Sequence, residues 1–263
     1  MLDLDAYAGR IGWSGPRNAD AETLAAIHRA HATHVPFENL AIHQGVGIDL
    51  ASEKIFEKIV GRRRGGYCFE QNALLLDVLR AIGFTARPLA ARVLAGRSPV
   101  RRPRSHMALL ASAGARTYLA DVGFGVHNLL LPMPFEPGVE RTIGAETFRL
   151  REIGWDGRAL APPPAFDLEV REGDAWAPLY RLSLEDQEPI DFVQANWFTS
   201  THPDSLFVKK RIVSSVAVDG TRQLLLEREL ETRRPDGTKE TRTIAEGDAA
   251  YAAALRELFD LAI

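Results

Sequence analysis

Apolar positions in the first third of the chain recur at helical spacing. Leu24, Ile27 and Ala30 follow Asp20, a residue type suited to a helix N-cap, and predict a helix over residues 21–32. Pro36 disfavours helical backbone at Val35, so the pattern breaks at "VPFENL". Ile55, Phe56 and Ile59 share one face of a second helix, predicted over residues 52–60 with Ser52 as its cap. A third begins near Cys68 and runs through "FEQNALLLDVLRAIGF", where Gly83 suits the left-handed position that ends a helix.

Beyond Gly83 the period shortens. "TARPLAARVL", "HMALLAS" and "TYLADV" are short apolar runs separated by Gly, Pro and Arg, the pattern of strands in a sheet or small barrel. "PMPFEPG" and "APPPAF" read as loops, and strand-like runs continue to about Tyr180. "DQEPIDFVQANWFTSTHPDSLF" predicts a helix followed by a loop broken at Pro203. Asp219-Gly220 and Asp236-Gly237 mark two hairpin turns, and an amphipathic helix from about Ala249 to Leu261 follows. Helices, then strands, then a mixed segment make an α+β arrangement.

Composition narrows the function classes. With 32 basic and 35 acidic residues the formal charge is −3, which gives no basic excess for nucleic acid. A chain of 263 residues with 46% hydrophobic content buries a sizeable core or divides into two or three small domains. No run of about 18 apolar residues predicts a membrane span. "MLDLDAYAGRIGW" lacks the basic and apolar regions of a signal peptide, so a cytoplasmic location is expected. A single cysteine forms no internal disulfide.

That cysteine, Cys68, stands in "GRRRGGYCFEQN". A thiol attacks as thiolate, and the first turn of a helix presents unpaired N–H groups and a positive dipole end that favour one. Gly65 and Gly66 permit a tight turn into the helix, and Arg64 adds positive charge if it folds inward. A buried cysteine that packs as a small hydrophobe is equally compatible with these neighbours.

A cysteine nucleophile also needs an imidazole, and the imidazole an orienting group. His28, His31 and His34 stand three apart, but with no accompanying carboxylate pair or cysteine they read as surface or interhelical packing, and no metal ligand is assigned. His43 and His202 lie in polar loops, and His127 follows a glycine turn. His106 opens the apolar run "HMALLAS", and Asp121 closes "TYLAD". If the two runs pair around "SAGAR", His106 lies opposite Asp121, within reach of an Nδ1–H to carboxylate hydrogen bond.

"RRRGGYCFEQN", "SHMALL" and "YLADVGFG", with "YAGRIGWSGP" and "HVPFENL" before them, resemble the active-site segments of the arylamine N-acetyltransferases in that family's order. The resemblance is dense from Tyr7 to Gly125 and thinner beyond, where "ANWFTSTHPDSLF" is the best match. It implies a helical bundle over residues 1–84 carrying the nucleophile Cys68. A β-barrel over 85–188 would carry the base His106 and its orienting Asp121, and an interdomain helix with an α/β lid would occupy 189–263. The implied core is like that of cysteine proteases and transglutaminases.

The implied reaction is ping-pong transfer of acetyl from acetyl-CoA, a substrate rather than a bound cofactor, to a small aromatic amine, hydrazine or hydroxylamine. Phe37, Phe124 and, more weakly, Phe207 match the family's aromatic pocket positions, with Phe207 preferred to Phe198. Arg92, Arg97, Arg101, Arg102 and Arg104 crowd the loop before His106. Their guanidinium forks suit the phosphates of CoA, although a solvated basic loop looks the same in sequence. Gly123 and Gly125 would let the pantetheine arm approach the backbone. Glu70 and Asn72 read as supports of the Cys68 turn. The chain is compatible with a monomer or a homodimer. A related acyltransferase using another acyl-CoA or closing an amide, a transglutaminase-like or papain-like enzyme, and a non-catalytic binding module are the competing readings.

Overall fold

The structure, a computed structural model, describes residues 2–96, 102–154 and 164–262. Helices dominate the first part: α1 (Leu4–Ile11), α2 (Ala21–His34), the short β1 (Phe37–Glu38), α3 (Leu40–His43), α4 (Ser52–Phe56) and α5 (Cys68–Ile82). Asp20 caps α2 by accepting from the Thr23 N–H at 2.8 Å, and the helix runs two residues past its expected end. Val35 is extended ahead of Pro36, as the steric demand of proline requires.

The second helix differs from expectation. Ala51 is its N-cap and Ser52 lies inside the first turn, while the Asp49 carboxylate accepts from the Ala51 N–H at 2.9 Å. After Phe56 the backbone widens into a π turn, Glu57–Gly61, ended by the bond from the Arg62 N–H to the Glu57 carbonyl. Gly83 ends α5 at φ 108°, a left-handed conformation suited to glycine.

Eight antiparallel strands follow: β2 (Thr85–Val93), β3 (His106–Ala113), β4 (Arg116–Ala120), β5 (Met133–Pro134), β6 (Glu140–Ile143), β7 (Glu146–Ile153), β8 (Ala165–Glu172) and β9 (Ala175–Ser183). Their order, β5-β4-β3-β2-β9-β8-β7-β6, makes a nearly closed barrel. Leu89, Leu109, Leu119, Phe148, Leu150 and Tyr180 fill it without measurable exposure. Two predicted loops contribute to the sheet. Met133–Pro134 pairs with β4, and Ala165 and Phe166 begin β8 rather than ending a loop.

The last part holds α6 (Asp191–Thr201), α7 (Leu206–Lys209), β10 (Ile212–Val216), β11 (Arg222–Leu226), β12 (Glu229–Arg233), β13 (Lys239–Thr243) and α8 (Asp248–Phe259). Both expected hairpins form. The sheet order is β1-β10-β11-β12-β13, so a two-residue strand from the helical region completes a sheet otherwise built from the end of the chain. Phe37 pairs with Ser214 on that side and bridges Gly66 on the other. The fold is α+β, and no helix among the described residues is long and apolar enough to cross a membrane.

Replacing Asp20 with Ala removes the acceptor at the start of α2. Urea unfolding should show a lower midpoint at unchanged slope, with the active-site chemistry unchanged.

Candidate active site

Steric demand fixes the turn before Cys68. A Cβ on Gly65 would stand 2.2 Å from the Pro36 carbonyl oxygen, so only glycine passes beneath the "VPFENL" segment. The Gly66 carbonyl then accepts from the Glu38 N–H at 3.0 Å and from Gln71 Nε2 at 2.7 Å. Tyr67 is the extended N-cap of α5, its N–H donating to Glu70 Oε2 at 3.1 Å, half of a capping box. Cys68 is therefore the first residue of the helix. It is buried at 4% exposure, with Sγ 3.7 Å from the Ser105 carbonyl oxygen.

Buried charges brace this turn. Lys58 Nζ lies 2.7 Å from Glu70 Oε1 and 3.8 Å from Glu38 Oε1, and Arg64 Nη2 donates to Glu38 Oε1 at 3.1 Å. Arg64 does fold inward, but its charge faces Glu38. Burial raises the Glu70 carboxyl above its usual range, with Lys58 working the other way.

His106 opens β3 and Asp121 follows β4, as the sequence indicates, but their pairing is diagonal. The ladder ends at Leu109–Ala120, so continuing it sets Asp121 opposite Ala108, and His106 lies two residues further along the same face. The ring nitrogen involved also differs from expectation. Nε2 of His106 stands 2.7 Å from Asp121 Oδ2, which leaves Nδ1 as the ring nitrogen not committed to the carboxylate. Burial alone would lower the His106 pKa. The Asp121 carboxylate, helped by Cys68, overrides it and pushes the imidazole up to about 10. Burial likewise opposes the Asp121 charge, but His106, Asn72 and the Gly123 N–H hold its pKa below the usual range.

Asn72 is a tie between helix and barrel. Its Nδ2 donates to Asp121 Oδ1 at 2.9 Å and to the Met107 carbonyl at 2.7 Å, while its Oδ1 accepts from the Val122 N–H at 3.1 Å. Gly123 packs closer still, because a Cβ there would sit 2.7 Å from Cys68 Cα and 2.8 Å from Asn72 Nδ2. The missing side chain of Gly123 makes room for the cysteine. Gly125 adopts φ 74° and its Cβ position faces Ser214 and Phe37.

Two aromatic groups flank the thiol turn. Phe124 and Tyr180 stack edgewise and tilted on His106 at 4.9 and 4.8 Å between centroids. Phe37 and Tyr67 both contact Phe207, at 6.0 and 5.8 Å. Phe198 instead stacks on His202. Tyr180 was not foreseen, since nothing in "APLYRLS" distinguishes it from any other strand tyrosine. Of the loop arginines, Arg97 and Arg101 lie outside the described residues. Arg102 donates to the Ala95 carbonyl at 2.9 Å, and Arg104 pairs with Glu185 at 2.7 Å on the surface. Among the described residues, no group of three or more His, Cys, Asp or Glu side chains is arranged to hold a metal ion.

A cysteine at a helix N-terminus, set against a histidine–aspartate pair on a barrel edge, makes a cysteine-protease-like core. The comparisons place the chain within that class. Residues 20–263 match the family model described as N-acetyltransferase. The arylamine N-acetyltransferase of Mycolicibacterium smegmatis is 38% identical over 92% of this chain and 86% of its own length. Human arylamine N-acetyltransferase 1 is 32% identical over 85% and 81%. The Mycobacterium marinum arylamine N-acetyltransferase in complex with CoA superposes with a TM-score of 0.87 at 33% identity, covering 98% of this chain and 92% of that one. The chain belongs to the arylamine N-acetyltransferase family.

Two measurements follow from this geometry. Lys58→Met leaves Glu38 and Glu70 buried with less compensation, and should cost about 3–5 kcal/mol in urea unfolding. A protonated His106 stabilises the fold fully below its unfolded pKa of about 6.5 and progressively less as pH rises through about 10. The stability difference between the parent and His106→Gln should therefore shrink across that window. A difference flat in pH would contradict a charged His106.

Proposed function

We propose that the protein moves an acetyl group from acetyl-CoA to an arylamine, arylhydrazine or arylhydroxylamine through an acetyl-Cys68 intermediate. The observation that carries this reading is the buried trio Cys68, His106 and Asp121, with His106 held on the Asp121 carboxylate through Nε2 and Cys68 bonded to the carbonyl of Ser105, the residue before His106. The Asp121 carboxylate holds the His106 imidazole in its charged form, so a proton donor stands ready in the site. In the first half-reaction the Cys68 thiolate attacks the thioester carbonyl, CoA sulfur leaves, and His106 supplies its proton. In the second the amine nitrogen attacks the acetyl-cysteine, its proton passes to His106, and the Cys68 thiolate returns. Asp121 holds the imidazole ring and stabilises its charged form throughout.

The aromatic acceptor is assigned to the walls formed by Phe37, Phe124 and Phe207. Exchange between thioesters is nearly balanced, so this route asks the protein mainly for a preformed nucleophile and an apolar, oriented acceptor site. The loop carrying Arg101, Arg102 and Arg104 belongs to the same reading as the phosphate contact of CoA. Arg104 is available for it at little cost, because its present partner Glu185 is half-exposed and such pairs contribute about 0–1 kcal/mol. Residues 1–84, 85–188 and 189–263 act in this scheme as carrier of the nucleophile, carrier of the base, and lid.

Intact-mass analysis after incubation with acetyl-CoA alone tests the central step. Parent enzyme should gain one acetyl group and Cys68→Ser none, with turnover reduced by far more than tenfold, since a serine hydroxyl is a much weaker acid than a thiol. Unlabelled parent enzyme that still turns over would exclude the covalent route. Neutralising Arg102 and Arg104 together should raise KM for acetyl-CoA while leaving rates with p-nitrophenyl acetate, a donor without phosphates, near the parent's. Equal losses with both donors would remove the loop from the CoA site.

A further inference from the structure

The three evenly spaced histidines of α2 part company in the fold. His34 Nδ1 lies 2.9 Å from the Ala30 carbonyl of its own helix. His31, fully buried, meets the Tyr7 hydroxyl at 2.8 Å through Nδ1. His28, also without measurable exposure, crosses from the helix to the barrel edge, where its Nε2 stands 3.1 Å from the main-chain nitrogen of Asp121. A main-chain N–H only donates, so Nε2 of His28 is the acceptor and its ring proton sits on Nδ1.

We propose that His28 is a positioning residue for the Cys68–His106–Asp121 group: its neutral imidazole pins the backbone of Asp121 from behind. This rests on the acyl-transfer reading above. The Asp121 side chain is directed by Asn72 and Gly123 on Oδ1 and by His106 on Oδ2. Those bonds set the carboxylate only if the Cα that carries it is fixed, and Asp121 lies just beyond the last paired residue of β4. The ladder therefore gives out where the catalytic geometry begins. His28 supplies the missing main-chain acceptor from a different element. Without it the Asp121 N–H is buried with no partner, and the residue is driven to turn toward another acceptor.

Neutrality is necessary, because an imidazolium has no acceptor nitrogen and would compete with His106 for the same carboxylate. Burial lowers the His28 pKa to about 4, against the opposing pull of the Asp121 carboxylate and the Leu130 backbone. His31 on the same helix is held down to about 3 by burial, by Arg10 and by His28, so it adds no standing charge beside it at neutral pH. A glutamine places its side-chain oxygen where an imidazole places Nε2, whereas phenylalanine keeps the volume and loses the acceptor.

Histidine-selective ¹⁵N NMR of the parent protein at pH 7 should find His28 neutral with its proton on Nδ1. A proton on Nε2 overturns the proposal without any variant. Inactivation by iodoacetamide as a function of pH then reads the thiol site. His28→Phe should react about ten- to a hundredfold more slowly near neutrality, with a displaced pH profile, and His28→Gln should recover most of the rate. A folded His28→Phe with the parent's rate and profile overturns the proposal. If His28→Phe does not fold, the NMR tautomer and His28→Gln decide, the latter counting against the proposal if its profile is displaced. Asp121→Asn separates the two levels of argument: parent-like alkylation there would sink the Cys–His–Asp reading itself, whatever His28 does.

Discussion

One side chain holds the two halves of the site in register. Cys68 begins a helix, His106 opens a barrel strand and Asp121 follows one, and nothing in either element fixes its distance from the other. Asn72, one turn into α5, does so by bonding the Asp121 carboxylate, the Met107 carbonyl and the Val122 N–H at once. All of these are buried, so each bond lost exposes a polar group to a low-dielectric interior where water cannot replace it. The close approach of Gly123 to Cys68 is the steric counterpart of that tie. The geometry at the sulfur follows from these contacts more than from anything Cys68 itself contributes.

The charges beneath the turn follow a different logic. Glu38, Lys58 and Glu70 are buried and Arg64 partly so, and replacing such a group by apolar residues of similar volume is often neutral or stabilising. What the ionic version provides is directionality. Glu38 accepts from the Leu40 N–H, Glu70 accepts from the Tyr67 N–H, and both are oriented by Lys58, so two chain segments far apart in sequence are held at defined angles.

Much of the fold was legible because it rests on local signals: the Asp20 cap, the Pro36 break, the left-handed Gly83 and the two Asp-Gly hairpins all stand where the sequence sets them. The candidate site was legible for a related reason. Cys68 lies at a helix start and His106 and Asp121 at strand ends, and these are positions that patterning locates well. What escaped depends on long-range contacts. The diagonal His106–Asp121 offset needs the ladder's true end, and the choice of Nε2 over Nδ1 needs the direction from which Cys68 approaches. The inward turn of His28 needs to know that α2 brings it to the main chain of Asp121. Ser52 was misassigned because Ala51 already supplies the extended backbone that defines a cap, and the neighbouring Asp49 supplies the acceptor.

The two-residue strand β1 has a consequence for how the molecule is made. Phe37 touches Gly66, close by in the chain, but its other partner is Ser214, whose codon is read long afterwards. Contacts so distant in sequence are slow to form, and a chain leaving the ribosome gains them last. Throughout most of synthesis β1 is paired on one side only, and Phe207, the aromatic neighbour of Phe37, has not yet been made. The second pairing of β1 and the aromatic neighbour of Phe37 are therefore added to the site only when the carboxyl-terminal sheet closes over that strand.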